Sequence, residues 1–382
     1  DAEIAEMCRL LEEAMRAGAI GLSISYVDID ENMVPVPSRW ADEREKLALC
    51  QAMARTGRGV LQTVPYFIDL EQQLANIQEL GRLSRGSGIL CSLAPIVASP
   101  VNADAWKRSL AALEAERETG GRVYAQSMPR TFDLNLRLSE TSFLLYGLPT
   151  WNRFMSLPIG ERIAAFGDPA NRPALLEEGM RIAPLLIAAS VGEVFSPANE
   201  KLAGRSLLQI AGERGKPLPE VMLDVALADD LRTEFCIRGV IHADVESVAA
   251  ILSHPLVHVG ASDAGAHIAQ FCGAGDTCYL IERFVREHKK FSLEQAVHRL
   301  TGELARDWGI AERGEIAPGK FADLVLFDPD TIARGPEQFV GDVPGDANRY
   351  VRGAKGIEAV VVNGALTLER GRYTEARAGR IV

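Results

Sequence analysis

Apolar and polar positions alternate along the first third of the chain in a repeating way. Ile4, Met7, Leu11, Ala14 and Met15 fall on one face of a helix, and the apolar run from Ala19 to Tyr26 follows as a buried strand. The same succession recurs with a period in the thirties. A helix over 42–56 leads to a strand over 59–66, a helix over 70–85 to a strand over 88–97, and a helix over 103–118 to a strand over 121–128. Repeated helix–strand units, with glycines ahead of the strands, predict a parallel sheet with crossover helices. Periodicity alone does not separate a barrel from an open sheet.

The rhythm breaks over 129–203, which carries Pro129, Pro149, Pro158, Pro169, Pro173, Pro184 and Pro197 among scattered aromatics. This segment reads as an irregular insertion at the end of a strand, either shaping a site or simply covering surface. Helical patterning resumes at 205–214 and 218–229. An apolar run over 235–241 and a helix over 244–253 then lead to an apolar strand over 256–262, with helices at 277–289 and 292–306 after it. The tail changes character. Residues 314–328 read as a turn feeding a strand, and 359–368 as a hairpin with Asn363-Gly364 at its tip. The division expected is a barrel portion over 1–312 and a β module over 313–382.

Composition narrows the classes. A hydrophobic fraction of 47% and a charged fraction of 24% describe an ordinary globular protein. The net charge of −11 argues against a nucleic-acid partner. The chain holds no continuous apolar stretch long enough for a membrane span, and it opens without a basic-then-apolar leader. Its six cysteines are scattered, mostly in apolar runs, as free thiols of a reducing compartment would be, so a cytoplasmic location is expected. Cys272 and Cys278 match no common zinc spacing.

The segment Leu-Val-His-Val-Gly-Ala-Ser-Asp-Ala-Gly-Ala-His at 256–267 holds the candidate chemistry. A carboxylate at the end of a buried strand, here Asp263, is placed to act as acid, base or metal ligand at the mouth of an α/β barrel. The alternative is that Asp263 caps the next helix.

These features together resemble the amidohydrolase superfamily, and within it the N-acyl-D-amino-acid deacylase (D-aminoacylase) group. The likeness rests on RGEIAPGKFADLVLFDPD and GIEAVVVNGALTLERGRYTEARAGRI in the tail, on AGAIGLSISY, similar to the family's fourth barrel strand, and on VGASDAGAH, similar to its eighth. The resemblance implies a (β/α)8 barrel of which this chain holds strands four to eight, plus part of a β-sandwich. It also implies hydrolysis of linear amides with zinc at the barrel mouth. Asp263 then takes the role of the family's catalytic aspartate, shuttling the water's proton to the leaving amine and serving as a metal ligand. His267 would orient Asp263, touch substrate or serve as a structural hydrogen-bonding residue. Arg130 would pair with the carboxylate of an N-acyl amino acid, and Gln62 and Gln126 would hydrogen-bond its amide.

The departures from the family are as informative. Its strand-one His-x-His pair and nearby cysteine ligand have no counterpart here. Its strand-five and strand-six histidines are matched by Val64 and Leu93, which cannot ligate zinc. His242, His254 and His258 read as structural, and His288 and His298 as helix residues away from the mouth. The chain is therefore expected to be the later two-thirds of a longer protein with two open sheet edges. A non-catalytic, amidohydrolase-like binding protein is the competing expectation.

Overall fold

The computed structural model describes residues 1–30, 34–67, 69–345 and 347–380. Helix Ala2–Arg16 precedes strand β1 (Gly21–Ser25), Glu43–Arg55 precedes β2 (Val60–Val64), Leu70–Ser87 precedes β3 (Leu90–Leu93), and Ala105–Glu118 precedes β4 (Val123–Ser127). The local signals are strong. Asp42 and Asp69 cap their helices by accepting the Glu45 and Gln72 amides, and Gly88 ends the third helix in the left-handed region. The third strand is shorter than its apolar run predicts, because Pro95 has no N–H to give the ladder.

After β4 the chain leaves the sheet. The stretch 129–203, expected to be irregular, is ordered. Its elements include β5 (Leu134–Leu136), the helices Pro149–Met155, Ile159–Gly167 and Arg172–Gly179, and β6 (Ala189–Val191). The excursion continues through two helices to β7 (Phe235–Ile237), and the three strands form an antiparallel sheet in the order β5-β7-β6. It has a core of its own around Trp151, Phe166 and Phe235, all fully buried, with the Trp151 indole donating to the Leu175 carbonyl at 2.9 Å. The helices are short and proline-punctuated, too brief for helical periodicity to stand out.

Helix Val245–Ser253 returns the chain to β8 (Val257–Val259), which pairs in parallel with β4. The main sheet is thus β1-β2-β3-β4-β8, all parallel, as expected for part of a TIM-type barrel, with β1 and β8 as its edges. Its core joins Leu61, Leu90, Leu93, Val123 and Val257 to helix residues Met53, Ile77, Leu80 and Leu113.

The tail holds β9 (Leu324–Phe327), β10 (Ala333–Val343), β11 (Ala347–Lys355), β12 (Ile357–Val362), β13 (Ala365–Glu369) and β14 (Arg372–Tyr373). Four of these form an antiparallel sheet in the order β14-β13-β12-β9. Its central hairpin turns at Asn363-Gly364, both at positive φ, as the turn chemistry predicts. Strand β9 has a single strand partner among the described residues and leaves Val325 and Leu326 exposed. The hairpin β10–β11 was not foreseen. It stands apart from that sheet and lies against the excursion and the loop after β8: the Asn135 amide donates to Glu337, and the Tyr350 N–H to the Ile268 carbonyl.

Candidate functional site at the strand ends

The site begins where β8 stops. Ala261 at φ 60° takes the chain out of the extended region, so the strand ends at Val259 and not at 262. Asp263 (φ 52°) and His267 (φ 48°) are also left-handed. Three such non-glycine residues within seven positions cost on the order of 1 kcal/mol each, strain of the kind that gathers at functional sites. Two glycines permit the fold of this loop. A Cβ on Gly273 would lie 1.7 Å from the Ser262 carbonyl oxygen, and one on Gly260 would lie 2.5 Å from Gln126 Oε1.

Asp263 is exposed, yet enough protein surrounds it that partial desolvation raises its pKa, against the lowering charges of His267 and Arg130. His267 is also exposed and packs against Phe143 of the excursion, ring centroids 4.5 Å apart, so the excursion reaches the site.

Gln62 and Gln126 are not free to meet a substrate in this arrangement. Gln126 Nε2 donates to Gln62 Oε1 at 2.8 Å and to Ser92 Oγ at 3.0 Å, while Gln126 Oε1 accepts the Ala261 N–H at 3.2 Å. Gln62 Nε2 donates to the Thr63 carbonyl. The two amides and Ser92 therefore tie three adjacent strands to the turn before Asp263.

Arg130, expected at the rim, is 3% exposed. Its Nε donates to Asp276 at 2.8 Å, its Nη2 to the Ser262 carbonyl at 2.7 Å, and its Nη1 to the Thr131 carbonyl. It acts as a strut between β4, the Asp263 turn and the helix at Asp276. Arg130 also borders a polar cavity of about 180 Å³, which Arg238, Arg334 and Arg352 line as well.

His242 differs from a satisfied core histidine. It is 4% exposed, left-handed at φ 61°, and neither ring nitrogen has a partner among the described residues. Burial, assisted by the Arg130 charge, brings its pKa down to about 4. Its N–H donates to the Ala98 carbonyl just beyond β3, which places it at the C-terminal end of the sheet. By contrast, His258 is structural as expected: it contacts Asp307 at 3.1 Å, accepts from Trp308 and stacks on Tyr124. Sequence reasoning missed Arg238, Arg334 and Arg352, for which no local motif exists.

The donor set does not fit a metal. Leu93 is fully buried and apolar, and Gln62, Ser92 and Gln126 are neutral and engaged with one another. Among the described residues no group of three or more His, Cys, Asp or Glu side chains is gathered to hold an ion. Asp263 and His267 alone fall short of the three protein ligands usual for catalytic zinc.

Residues 229–368 match the amidohydrolase family. An uncharacterized protein of Mycobacterium tuberculosis (strain ATCC 25618 / H37Rv) is 28% identical over 353 residues, covering 86% of this chain and 56% of that protein. The N-acyl-D-aspartate deacylase of Alcaligenes xylosoxydans xylosoxydans is 32% identical over 175 residues, 44% of this chain and 33% of the enzyme. The chain spans little more than half the length of the first of these relatives. Among solved structures, D-aminoacylase superposes with a TM-score of 0.61 at 24% identity, over 100% of this chain and 66% of that one. The N-acyl-D-glutamate deacylase of Bordetella bronchiseptica, solved with zinc and a phosphonate inhibitor, gives 0.60 at 24%, over 100% and 65%. Both structural likenesses show the fold.

Proposed function

We propose that this chain, a D-aminoacylase-like protein of the amidohydrolase superfamily, belongs to a hydrolase of linear amides, of the N-acyl-amino-acid deacylase type, in which Asp263 is the proton shuttle. The observation that carries the reading is Asp263 itself: a carboxyl group on a strained turn at the end of β8, partly desolvated and flanked by His267 and Arg130. Amide hydrolysis needs a base that takes a proton from water as its oxygen attacks the carbonyl. It then needs an acid that gives that proton to the departing nitrogen. One carboxylate can do both in turn. Arg130, through the Ser262 carbonyl, and Gln126, through the Ala261 N–H, hold the turn in place.

The zinc implied by the family resemblance finds no ligand set among the described residues, so the proton steps are carried by Asp263 alone. Accordingly, the 382-residue chain by itself should bind substoichiometric zinc and show no deacylase turnover. The neutral Gln62–Ser92–Gln126 network favours one second reading, a non-catalytic binding protein on the same fold.

The deciding experiment is Asp263→Asn in the full-length protein, assayed for release of free amine from N-acyl amino acids. Loss of about 10²–10⁴-fold in kcat, with unchanged melting, supports the shuttle. Because Asp263 must be ionised to accept the proton, the rate should fall as pH drops through its pKa, which partial desolvation raises from the ordinary aspartate value. Turnover at the wild-type rate in Asp263→Asn would leave Asp263 as a turn residue.

A further inference from the structure

Four guanidiniums converge on one small cavity beside the Asp263 turn. It is about 180 Å³ in volume and is walled by Arg130 after β4, Arg238 after β7, and Arg334 and Arg352 from the two strands of the β10–β11 hairpin. Four carboxylates stand near them, but their distribution is uneven: Glu282 accepts the backbone N–H of Arg334 and not its guanidinium. Asp276 pairs with Arg130, and Glu337 with Arg352 at 3.2 Å. Asp133 accepts from the Thr131 hydroxyl and the Gly239 N–H, with no guanidinium at ion-pair distance among the described residues.

Arg238 and Arg334 thus have no carboxylate within ion-pair distance among the described residues. They are held only by neutral acceptors. Arg238 donates to the Leu134 and Ile237 carbonyls and to Asn135 Oδ1, and Arg334 to the Ala274 and Cys272 carbonyls. Burial and the neighbouring Arg352 and Arg130 charges work against the charged form of Arg334 and outweigh the Asp276 and Glu337 charges, which favour it. In addition, Arg352 Nε is buried without a partner among the described residues. Like charges brought this close, with two guanidiniums fixed by neutral acceptors and paired to no carboxylate among the described residues, are the arrangement that recognises a planar or tetrahedral oxyanion through guanidinium forks.

We propose that this cavity is an oxyanion-binding site for a small carboxylate or phosphate, held chiefly by Arg238, Arg334 and Arg352. It goes beyond the assignment of Asp263. Because Arg130 both borders the cavity and donates to the Ser262 carbonyl, an anion bound there sits one side chain away from the Asp263 turn. The cavity volume accommodates an inorganic phosphate or the carboxylate end of an amino acid.

The test is calorimetric titration of the full-length protein with inorganic phosphate, alongside melting with and without phosphate. The expected result is saturable binding at one site, a higher melting temperature with phosphate, and at least about tenfold weaker binding in Arg334→Gln and in Arg238→Gln. Arg205→Gln, at a residue paired with Glu213 on the excursion, should bind as wild type does. Competition then separates the two sources. Displacement of phosphate by N-acetylglycine but not by N-acetylglycinamide assigns the site to a substrate carboxylate, an arm that rests on the deacylase reading. No displacement by either assigns it to a free oxyanion. Absence of saturable phosphate binding together with no melting shift overturns the proposal, as does undiminished binding in both folded variants. The readout is binding, so an inactive protein that binds phosphate refutes only the hydrolase reading, and an active one that binds none refutes only this inference.

Discussion

Replacing Gln126 by leucine tests whether the amide network positions the Asp263 turn. The two side chains are nearly the same size, so little packing should be lost. What disappears is hydrogen bonding: two donations, to Gln62 and Ser92, and the acceptance of the Ala261 N–H. Ser92 is fully buried, so losing its donor costs its full desolvation, about 1–3 kcal/mol. Gln62 and Ala261 are half-buried and water reaches them in part, adding on the order of 1 kcal/mol together. The expected destabilisation is therefore about 2–4 kcal/mol, read as a shift of the urea midpoint at constant slope. A local readout accompanies the global one. The Ala261 amide, deprived of its acceptor, should exchange faster with solvent than the amides of β4, whose ladder is untouched. If stability changes by less than about 0.5 kcal/mol and Ala261 exchange is unaltered, the network does not hold the turn and its role here is wrong.

Two further outcomes follow from buried charge. Asp276→Asn leaves the Arg130 guanidinium buried without its counter-charge and should destabilise by about 3–5 kcal/mol in urea denaturation. An unchanged midpoint would mean that the strut carries no load. His242, whose pKa in the folded protein is down at about 4, should make stability fall on acidification. The unfolded chain takes up a proton near pH 6.5, whereas the folded chain does so only near 4. This site therefore removes about 2 kcal/mol between about pH 7.5 and 5 and contributes nothing above that range. His242→Asn, which tolerates the left-handed backbone, should flatten the acid limb by that amount, and an unchanged slope would count against burial as the cause.

What could be read from sequence was what is written in consecutive residues. The five parallel strands and the Asn363-Gly364 hairpin declare themselves through unbroken apolar runs and turn residues, and Asp263 through its place at a strand end. The excursion was misjudged because helices such as Pro149–Met155 complete barely two turns, too few for a face to emerge. The β10–β11 hairpin was missed because its strands are largely polar and broken by glycine and proline. Arg130 follows β4, as its place in the sequence predicts, but its burial depends on Asp276, 146 residues away. The arginine cavity draws on five separate segments, so only the folded chain assembles it. His242 looked ordinary because nothing in its neighbours announces two ring nitrogens left without partners.

The open edges have a consequence for handling. Among the described residues β1 and β8 lack a second strand neighbour, with Ser38 meeting the Ser25 backbone and Arg299 the Val257 carbonyl on these rims, and β9 adds a third, less covered rim beside exposed Val325 and Leu326. Rows of unmatched N–H and C=O groups next to apolar side chains are templates for strand addition between molecules. The colloidal behaviour of this polypeptide should therefore be governed by these rims more than by its net charge of −11. Concentrated solutions should develop thioflavin-positive aggregates by an order in protein concentration above one, and a lysine at Leu326, facing solvent on β9, should slow that growth without disturbing the buried core.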